Sequence, residues 1–167
     1  MILLGLGGNL PTAEFGTPAD TLAAALERLG QQGVHVSSRS RWHATRPVPD
    51  DGQPWYTNGV AVIQSSAPAH DLLDLLLATE RQFGRLRGAR NAPRTIDLDL
   101  LAYDDLVTDG TAAQGLVLPH PRMHERTFVL LPLVEIAPHW RHPRLGRTAR
   151  ELLVALQQGG SGGPVAG

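Results

Sequence analysis

The alternation of apolar and polar residues divides the chain into short strands and longer helices. Ile96, Leu98 and Leu100 alternate with polar residues in TIDLDLLAY, and this period of two is typical of a half-buried strand. Residues 18–29 instead carry leucines at helical spacing, after an N-terminal proline and before a glycine, which favours an amphipathic helix. The pattern predicts strands over residues 1–6, 34–42, 56–63 and 95–103 and helices over residues 18–29 and 67–83.

These elements follow one another in the order βαββαβ, which indicates an α+β fold with a ferredoxin-like core. In this arrangement we expect both helices to cover one face of the sheet and to leave the other face available. Beyond the core, the pattern predicts a C-terminal extension of helices and a short strand. The strand is expected over 116–118, and the last helix starts with a capping box, Thr148 to Glu151. We expect a single domain over residues 1–158 and a flexible glycine-rich tail over residues 159–167.

The polar side of the last core strand carries two neighbouring carboxylates. Asp97 and Asp99 would point from one face with Cα atoms ~7 Å apart, where they repel by ~2–3 kcal/mol at an effective dielectric of about 20. A solvated outer face of an antiparallel strand is the simpler interpretation of such a pair. The alternative is a magnesium site, because Mg²⁺ prefers carboxylate oxygens and completes its shell with water and substrate phosphates. Two such ions could flank a phosphorus atom under attack.

Composition excludes several classes of protein. The chain has 167 residues, a net charge of −1 and 42% apolar residues, an ordinary balance for one globular domain. No apolar run reaches the ~18–20 residues that a membrane span needs, and the N-terminus shows no basic segment or cleavage site. The absence of cysteine excludes disulfides, thiolate metal sites and a cysteine nucleophile. We therefore expect a cytoplasmic protein that binds no membrane, and we expect a monomer.

All 15 basic residues are arginine, because the chain contains no lysine. A Walker A loop and a protein kinase both need a lysine, so the chain handles a nucleoside triphosphate in neither of these ways. Arginine binds phosphate through two parallel hydrogen bonds and keeps its charge. The near-neutral net charge argues against a long nucleic-acid track, and the basic loop favours metal-bound polyphosphate at the acidic strand. Five arginines lie just before the paired aspartates, at positions 81, 85, 87, 90 and 94.

Two further patterns are weaker. His120 and His124 lie four residues apart, but HPRMH lacks the glutamate of HExxH and contains Pro121, so we do not favour a zinc site. His120 is better interpreted as a phosphate contact. GLGGN near the N-terminus is half of a dinucleotide fingerprint, but Leu10 takes the place of the third glycine. We interpret it as a point where the backbone approaches a flat ligand.

Two longer segments resemble a known enzyme family. RNAPRTIDLDLLAYDD and LVLPHPRMHERTFVLLPLVEIAP resemble the signature regions of the 6-hydroxymethyl-7,8-dihydropterin pyrophosphokinases, and GLGGNL and RPVPDDGQPWYTNGV fit the same family. The resemblance covers roughly residues 1–155 in order. It implies transfer of the β,γ-pyrophosphoryl group of ATP to the hydroxymethyl group of the pterin, with release of AMP. It also implies two Mg²⁺ ions as cofactors and a ferredoxin-like core.

The resemblance assigns roles to individual residues. Asp97 and Asp99 would bind both metal ions, and with Arg85 and Arg94 they would form the catalytic centre. The loops over 43–54 and 84–94 would close over the substrates and exclude water. The ATP-binding residues would be Glu80, Arg85, Arg87, Arg90, Arg94, Leu100, His120 and Arg126. The pterin-binding residues would be Gly8, Thr45, Pro47, Val48, Tyr56, Asn58 and Phe128, with Tyr56 and Phe128 stacking on the ring and Asn58 bonding its amide edge.

Some positions depart from the family pattern. Asn91 replaces a frequent tryptophan, Arg46 stands where many members have a small residue or proline, Ala44 replaces a frequent arginine, and Gly115 lies where some members place an arginine. None of these changes removes a predicted metal ligand or the stacking pair. We expect them to affect nucleotide affinity and loop motion and to leave the reaction unchanged.

Two alternatives remain open. A palm-like two-metal nucleotidyltransferase also places aspartates on a ferredoxin-like sheet, but it needs a longer basic channel for a template. A non-catalytic RNA-binding module on this fold would need an aromatic run on its central strands. The chain has only eight aromatic residues, three Trp, two Tyr and three Phe, and they form no such run. We therefore expect ATP and the pterin as partners, and no nucleic acid.

Overall fold

The computed structural model of the protein describes residues 1–85, 92–111 and 115–160. The predicted tail therefore lies mostly outside the described residues, and Gly159 is the last residue of the final helix. None of the helices in the described ranges is long and apolar enough to cross a bilayer. The elements are β1 (Ile2–Gly8), α1 (Pro18–Gln31), β2 (His35–Arg39), β3 (His43–Thr45), β4 (Tyr56–Gln64), α2 (Ala69–Gln82), β5 (Asp97–Tyr103), β6 (Thr108–Asp109), β7 (Val117–Leu118), a 3-10 turn (Met123–Glu125), α3 (Thr127–Ile136) and α4 (Ala149–Gly159).

One antiparallel sheet organises the molecule. Its strands follow the order β2-β4-β1-β5, β3 also pairs with β4, and every pairing is antiparallel. β1 runs through the centre, and all seven of its residues are buried, as its apolar sequence predicts. β6 and β7 form a separate two-stranded sheet. Together with the four helices of the described residues, this is a mixed α and β fold on an antiparallel sheet.

One face of the sheet packs against α1 and α2, as predicted. Leu4 of β1 and Leu98 of β5 belong to the same buried cluster as Leu22 of α1 and Leu72 and Leu76 of α2. Each fully buried leucine contributes about 2 kcal/mol of apolar burial. α1 ends two residues beyond its predicted range, and α2 is a few residues shorter than predicted.

The expectation that the opposite face stays available is wrong for part of that face. Leu3, Val60 and Leu101 on this side pack against a second buried cluster that includes Leu130 of α3 and Leu152 of α4. The sequence of α3, TFVLLPLVEI, is apolar almost all round, and such a helix needs burial on more than one side. Only the part of this face near one end of β1, β4 and β5 remains open.

The strand predicted over 34–42 is shorter, β2 over His35–Arg39, and a further short strand, β3, lies over His43–Thr45 in the segment predicted as a loop. β2 ends at Arg39, and the hydroxyl group of Ser40 then accepts a hydrogen bond from the backbone N–H of Val60 (3.0 Å). The ring of Trp42 lies against Gly59, where a Cβ atom would be only 2.9 Å from the ring. The chain resumes pairing with β4 as β3, which delivers Thr45 to the proline-rich loop.

β5 contains a bulge that the alternating sequence does not predict. Leu4 pairs with Leu100 and Leu3 pairs with Ala102, which leaves Leu101 as the extra residue. Before the bulge the alternation holds, so Leu98 lies on the side of α1 and α2, whereas Asp97 lies on the other side.

Candidate active site

A cavity of about 240 Å³ occupies the open part of the sheet face. β1, β4 and β5 form its floor, the loop that follows β3 forms one wall, and the start of α3 forms another. The acidic strand and the proline-rich loop, which the sequence separates by about 40 residues, therefore face the same space. The lining residues include Gly5, Gly7, Thr45, Arg46, Pro47, Val48, Asp51, Gln53, Tyr56, Asn58, Arg94, Asp97, Asp99, Leu101, Arg126 and Phe128.

Two glycines keep the floor of the cavity open beside the carboxylates. Gly7 pairs with Asp97 and Gly5 pairs with Asp99 across β1 and β5. A Cβ atom on Gly7 would lie 3.0 Å from the side-chain oxygen of Asn58, tighter than ordinary van der Waals contact. The glycines thus leave room above the sheet between the carboxylates of β5 and the amide of β4.

Both carboxylate oxygens of Asp97 bind arginine. Nη1 of Arg85 donates to Oδ1 at 2.7 Å, and Nη1 of Arg94 donates to Oδ2 at 2.8 Å. All three side chains are about a quarter exposed. Charge-assisted hydrogen bonds of this length are strong, so the two guanidinium groups hold Asp97 in a fixed orientation at the cavity floor.

Asp99 sits in a different environment although it lies on the same strand face. Burial, and next the neighbouring charge of Asp97, raise the pKa of its carboxyl group to about 7, while Arg126 and Arg85 act in the opposite direction. Asp99 therefore holds a proton about half of the time near neutral pH.

Glu80 lies behind this site and supports it. Its side chain is 4% exposed, and it accepts hydrogen bonds from Nη1 of Arg85 and from the backbone N–H of Leu98 (2.7 Å). Burial raises the pKa of Glu80, and both hydrogen bonds oppose that rise. Glu80 thereby joins α2 to β5 and fixes Arg85 between two carboxylates.

Asn9 connects three segments around the cavity. Its buried side chain accepts the backbone N–H of Arg94 (2.9 Å) and donates to Oε1 of Gln53 (3.3 Å) and the carbonyl oxygen of Pro54 (3.1 Å). The backbone N–H of Asn9 also donates to the carbonyl oxygen of Arg94 (2.9 Å). The end of β1 therefore ties the proline-rich loop to the entry of β5.

Comparison with known proteins identifies the family. A family model described as 7,8-dihydro-6-hydroxymethylpterin-pyrophosphokinase (HPPK) matches residues 3–138, which include every lining residue of the cavity. The chain belongs to the HPPK family.

Individual relatives agree with this assignment. The chain is 40% identical over 152 residues to the 2-amino-4-hydroxy-6-hydroxymethyldihydropteridine pyrophosphokinase of Synechocystis, a match that covers 90% of this chain and 73% of that protein. It is 41% identical over 159 residues to the protein of the same name from Methylorubrum extorquens, covering 94% of each. A third protein of that name, from Pseudomonas aeruginosa, is 37% identical over 157 residues and is covered to 90%. These matches favour the pyrophosphokinase interpretation over a nucleotidyltransferase or an RNA-binding module.

The fold of the HPPK chain also resembles a solved structure. That structure is described as a crystal structure of HPPK-DHPS in complex with substrates, and it aligns with a TM-score of 0.70 at 12% identity. The alignment covers 95% of this chain and 43% of the other. At this identity the likeness concerns the fold alone.

The structure brings most of the predicted pterin residues together. Thr45, Pro47, Val48, Tyr56, Asn58 and Phe128 all line the cavity. Nδ2 of Asn58 donates to Oγ1 of Thr45 at 2.6 Å, which joins β4 to the end of β3, where the proline-rich loop leaves the sheet. Gly8 is placed differently: a Cβ atom there would lie 2.6 Å from the backbone oxygen of Thr95, so this glycine permits close approach of two backbones at the edge of the site.

The predicted ATP residues fall into three groups. Arg94 and Arg126 line the cavity, and Arg85 contacts Asp97. The side chain of Leu100 lies in the core on the side of α1 and α2, away from the aspartates. His120 packs beside β5, where burial and the charge of Arg126 lower its pKa. Among the described residues, Glu80, Leu100 and His120 do not line the cavity. Arg87 and Arg90 lie outside the described residues.

The sequence identified several residues of this site only as parts of longer segments. Gly5, Gly7 and Asn9 belong to GLGGN, which was interpreted as a point where the backbone approaches a flat ligand, and Gly5 and Gly7 line the cavity on the face of the aspartates. Gln53 and Asp51 belong to the loop already singled out, but its sequence carries no periodic signal that distinguishes them. The hydrogen bonds of Asn9 could not be predicted from a local pattern, because its three partners come from two distant segments.

Proposed function

We propose that the protein transfers the β,γ-diphosphoryl group of ATP to the hydroxymethyl group of 6-hydroxymethyl-7,8-dihydropterin in folate biosynthesis, giving the pterin diphosphate and AMP. The observation that supports this most strongly is one cavity that joins the paired aspartates to an aromatic and amide pocket, in a chain that belongs to the HPPK family. Family membership makes the two substrates the expected partners. The strand order supports the finer assignment of a ferredoxin-like core.

We infer that Asp97 and Asp99 hold Mg²⁺, in two ions. Three carboxylates of the described residues line the cavity, and Asp97 and Asp99 lie two residues apart on one strand whereas Asp51 lies in the proline-rich loop, so Asp97 and Asp99 are the candidate donor set. Such a set fits Mg²⁺, which uses one or two carboxylates and takes its remaining ligands from water and substrate phosphates. The ions would supply charge neutralisation on the phosphate groups under transfer.

The arginines of the site supply the remaining positive charge. Arg85 and Arg94 bind the oxygens of Asp97 in this structure. With Mg²⁺ bound at Asp97 and Asp99, Arg85 and Arg94 would lie beside the phosphoryl oxygens and could donate hydrogen bonds to them. Glu80 holds Arg85 in place, because its carboxylate is buried and also accepts a hydrogen bond from β5. The positive charge therefore stays at the cavity floor, where charge develops during transfer.

The pterin pocket orients the acceptor. Tyr56 and Phe128 provide aromatic faces for stacking, and Asn58 presents an amide at the cavity floor. Because Asn58 already bonds Thr45, a ligand that bonds Asn58 also contacts the start of the proline-rich loop. This arrangement would place the hydroxymethyl oxygen toward Asp97 and Asp99. The loop residues Pro47 and Val48 would then cover the ring and exclude water.

The product nucleotide tests this proposal. Purified protein is incubated with ATP, Mg²⁺ and 6-hydroxymethyl-7,8-dihydropterin, and the nucleotides are separated by chromatography. We expect AMP that forms only when the pterin is present and that disappears with excess EDTA. Production of ADP, or no turnover by well-folded protein, would refute the proposal.

Substitution of an aspartate tests the assignment of the metal site. Asp97→Asn keeps the shape of the side chain but removes the charge, so we expect turnover to fall by at least about 100-fold while the far-UV circular dichroism is unchanged. Asp105→Asn is the matched control, because Asp105 is an exposed carboxylate just beyond β5. Near-normal turnover of Asp97→Asn would show that the carboxylate is dispensable.

A further inference from the structure

The cavity contains two kinds of arginine. Arg85 and Arg94 are fully engaged with carboxylates. Arg46 and Arg126 instead rest on aromatic rings: Cζ of Arg46 is 5.1 Å from the ring centre of Trp55, and Cζ of Arg126 is 5.5 Å from that of Phe128. Neither of these two guanidinium groups forms a hydrogen bond or an ion pair with a described residue, although both line the cavity.

Asp51, the carboxylate of the same loop, forms no ion pair with Arg46. Asp51 also lines the cavity, but it accepts hydrogen bonds from Nε2 of Gln53 (2.6 Å) and from the backbone N–H of Gln53 (3.3 Å). A guanidinium group over an aromatic ring interacts with the ring through its flat face. Its five N–H donors point outward in the guanidinium plane and stay free to bind a ligand. Arg46 therefore presents uncommitted donors and a full charge to a cavity suited to anions.

We infer that Arg46 is a further ligand-binding residue, which binds the diphosphate group once that group is attached to the pterin. This inference rests on the proposed function. Arg46 lines the cavity and directly follows Thr45, which bonds Asn58 in the pterin pocket, so its backbone is fixed on the acceptor side of the cavity. Transfer moves two phosphoryl groups from the nucleotide to the pterin, and an arginine on the acceptor side remains beside them when AMP leaves.

Trp55 makes the movement observable. If Arg46 leaves the ring to bind phosphate, the environment of the indole changes. Trp42 and Trp140 are the two other tryptophans of the chain, and replacing both by phenylalanine leaves Trp55 as the only source of indole fluorescence. Inorganic pyrophosphate with Mg²⁺ is then titrated as the smallest diphosphate probe, without any pterin.

Calorimetry separates the ligands. Binding of pterin diphosphate, of unphosphorylated hydroxymethylpterin and of α,β-methylene-ATP is measured for the wild type, Arg46→Ala, Arg46→Lys and Arg39→Ala. Arg39 is the matched control, because its guanidinium group also lies over a tryptophan, 4.2 Å from the ring centre of Trp42, outside the cavity. We expect Arg46→Ala to weaken pterin diphosphate binding by about tenfold or more, with Arg46→Lys in between. Affinity for the unphosphorylated pterin should stay within about twofold, and Arg39→Ala should match the wild type.

The inference fails if Arg46→Ala binds pterin diphosphate as tightly as the wild type does. It also fails if the unphosphorylated pterin loses as much affinity, because Arg46 would then only pack the loop, or if the loss appears only with α,β-methylene-ATP. A response of Trp55 to pyrophosphate that persists in Arg46→Ala would also overturn it. Absence of pterin-dependent AMP formation by the wild type, in contrast, would refute the proposed function itself.

Discussion

The carboxyl group of Asp99 lowers the free energy of unfolding when it is charged, because the folded protein raises its pKa. Its pKa is raised to about 7 in the folded protein, against about 3.9 for an unperturbed aspartate. The folded state therefore binds this proton more tightly than the unfolded state does. The resulting stabilisation is complete below pH 4 and is lost as the pH rises from 4 to 7. Above pH 7 the charged Asp99 opposes folding.

Asp99→Asn should therefore make the protein more stable at alkaline pH. The amide removes the buried charge and its repulsion with Asp97, so we expect a gain on the order of 1–3 kcal/mol in the free energy of unfolding at pH 8. The gain should shrink toward pH 4.5, where the wild-type carboxyl group is protonated. Urea unfolding in EDTA at both pH values measures this, with Asp105→Asn as the exposed control. A variant that is no more stable than the wild type at pH 8 would contradict the assignment.

Single residues of the site were predictable to different degrees. Asp97 and Asp99 follow from a period of two in one strand, because the pleat alone decides which side chains share a face. From spacing alone the partners of Asp97 were predictable only as a basic loop, and Arg85 and Arg94 were named through the family resemblance. The contact of Arg85 with Glu80 of α2 is not encoded in sequence spacing. Arg46 appeared in the sequence only as a departure from a family pattern.

At the scale of elements, the cavity is assembled by contacts between chain segments that the pattern treats separately. Asn9 illustrates this, because its one side chain bonds both the proline-rich loop and the entry of β5. A change at either loop is therefore transmitted to the other through a short, buried amide. Under the proposed function these loops would contact different substrates, and the binding of the two substrates should then be coupled.

Asn9→Ala should loosen both segments together. The substitution leaves the N–H of Arg94 and the carbonyl group of Pro54 without this partner, which should cost about 1–3 kcal/mol of stability. Hydrogen exchange measured by mass spectrometry should show lower protection in peptides that contain residues 47–56 and 92–96. Asn9→Asp keeps the acceptor for Arg94 but loses the donor to the loop, so only the first peptide should change strongly. If Asn9→Ala exposes one segment alone, the side chain does not couple them.

The elements themselves were largely predictable where one physical rule dominates. Strands buried on one face and helices with an apolar stripe appear where the pattern places them, and the capping box at Thr148 and Glu151 is confirmed by two hydrogen bonds of 2.8 and 3.2 Å. β3 was missed because residues 43–45 belong to a proline-rich segment whose pairing with β4 leaves no periodic signal in the sequence. The position of α3 was missed because an apolar sequence indicates that a helix is buried but does not indicate which surface of the protein covers it.

For the whole molecule, the docking of α4 depends on a buried histidine in the preceding turn. Nδ1 of His142 accepts the backbone N–H groups of Arg144 and Leu145 (both 3.2 Å), so Nε2 carries the hydrogen. The ring is 3% exposed and packs edge-on against Trp140 at 5.8 Å. The same turn is joined to the start of α4 by the N–H of Ala149, which donates to the carbonyl oxygen of Trp140 (2.8 Å). Protonation of His142 would break the two acceptor bonds and loosen this junction.

Burial, followed by the charges of His124 and Arg144, lowers the pKa of His142 to about 4. The unfolded chain has a histidine pKa near 6.5, so the stabilisation present above pH 6.5 is lost as the pH falls toward 4. Asp99 contributes to the free energy of unfolding with the opposite sign over nearly the same range, so the contributions of these two groups oppose each other between pH 7 and 4.5.

Replacing either Asp99 or His142 should reveal the contribution of the other residue to the pH dependence of stability. His142→Asn keeps a side-chain acceptor for the turn but cannot titrate, so its free energy of unfolding should rise by roughly 1–2 kcal/mol on acidification from pH 7 to 4.5, as Asp99 becomes protonated. Asp99→Asn should instead lose stability over the same interval. His70→Asn, on the exposed start of α2, should follow the wild type. Urea unfolding at four pH values decides the matter: parallel curves for His142→Asn and the wild type would mean that His142 does not control acid stability.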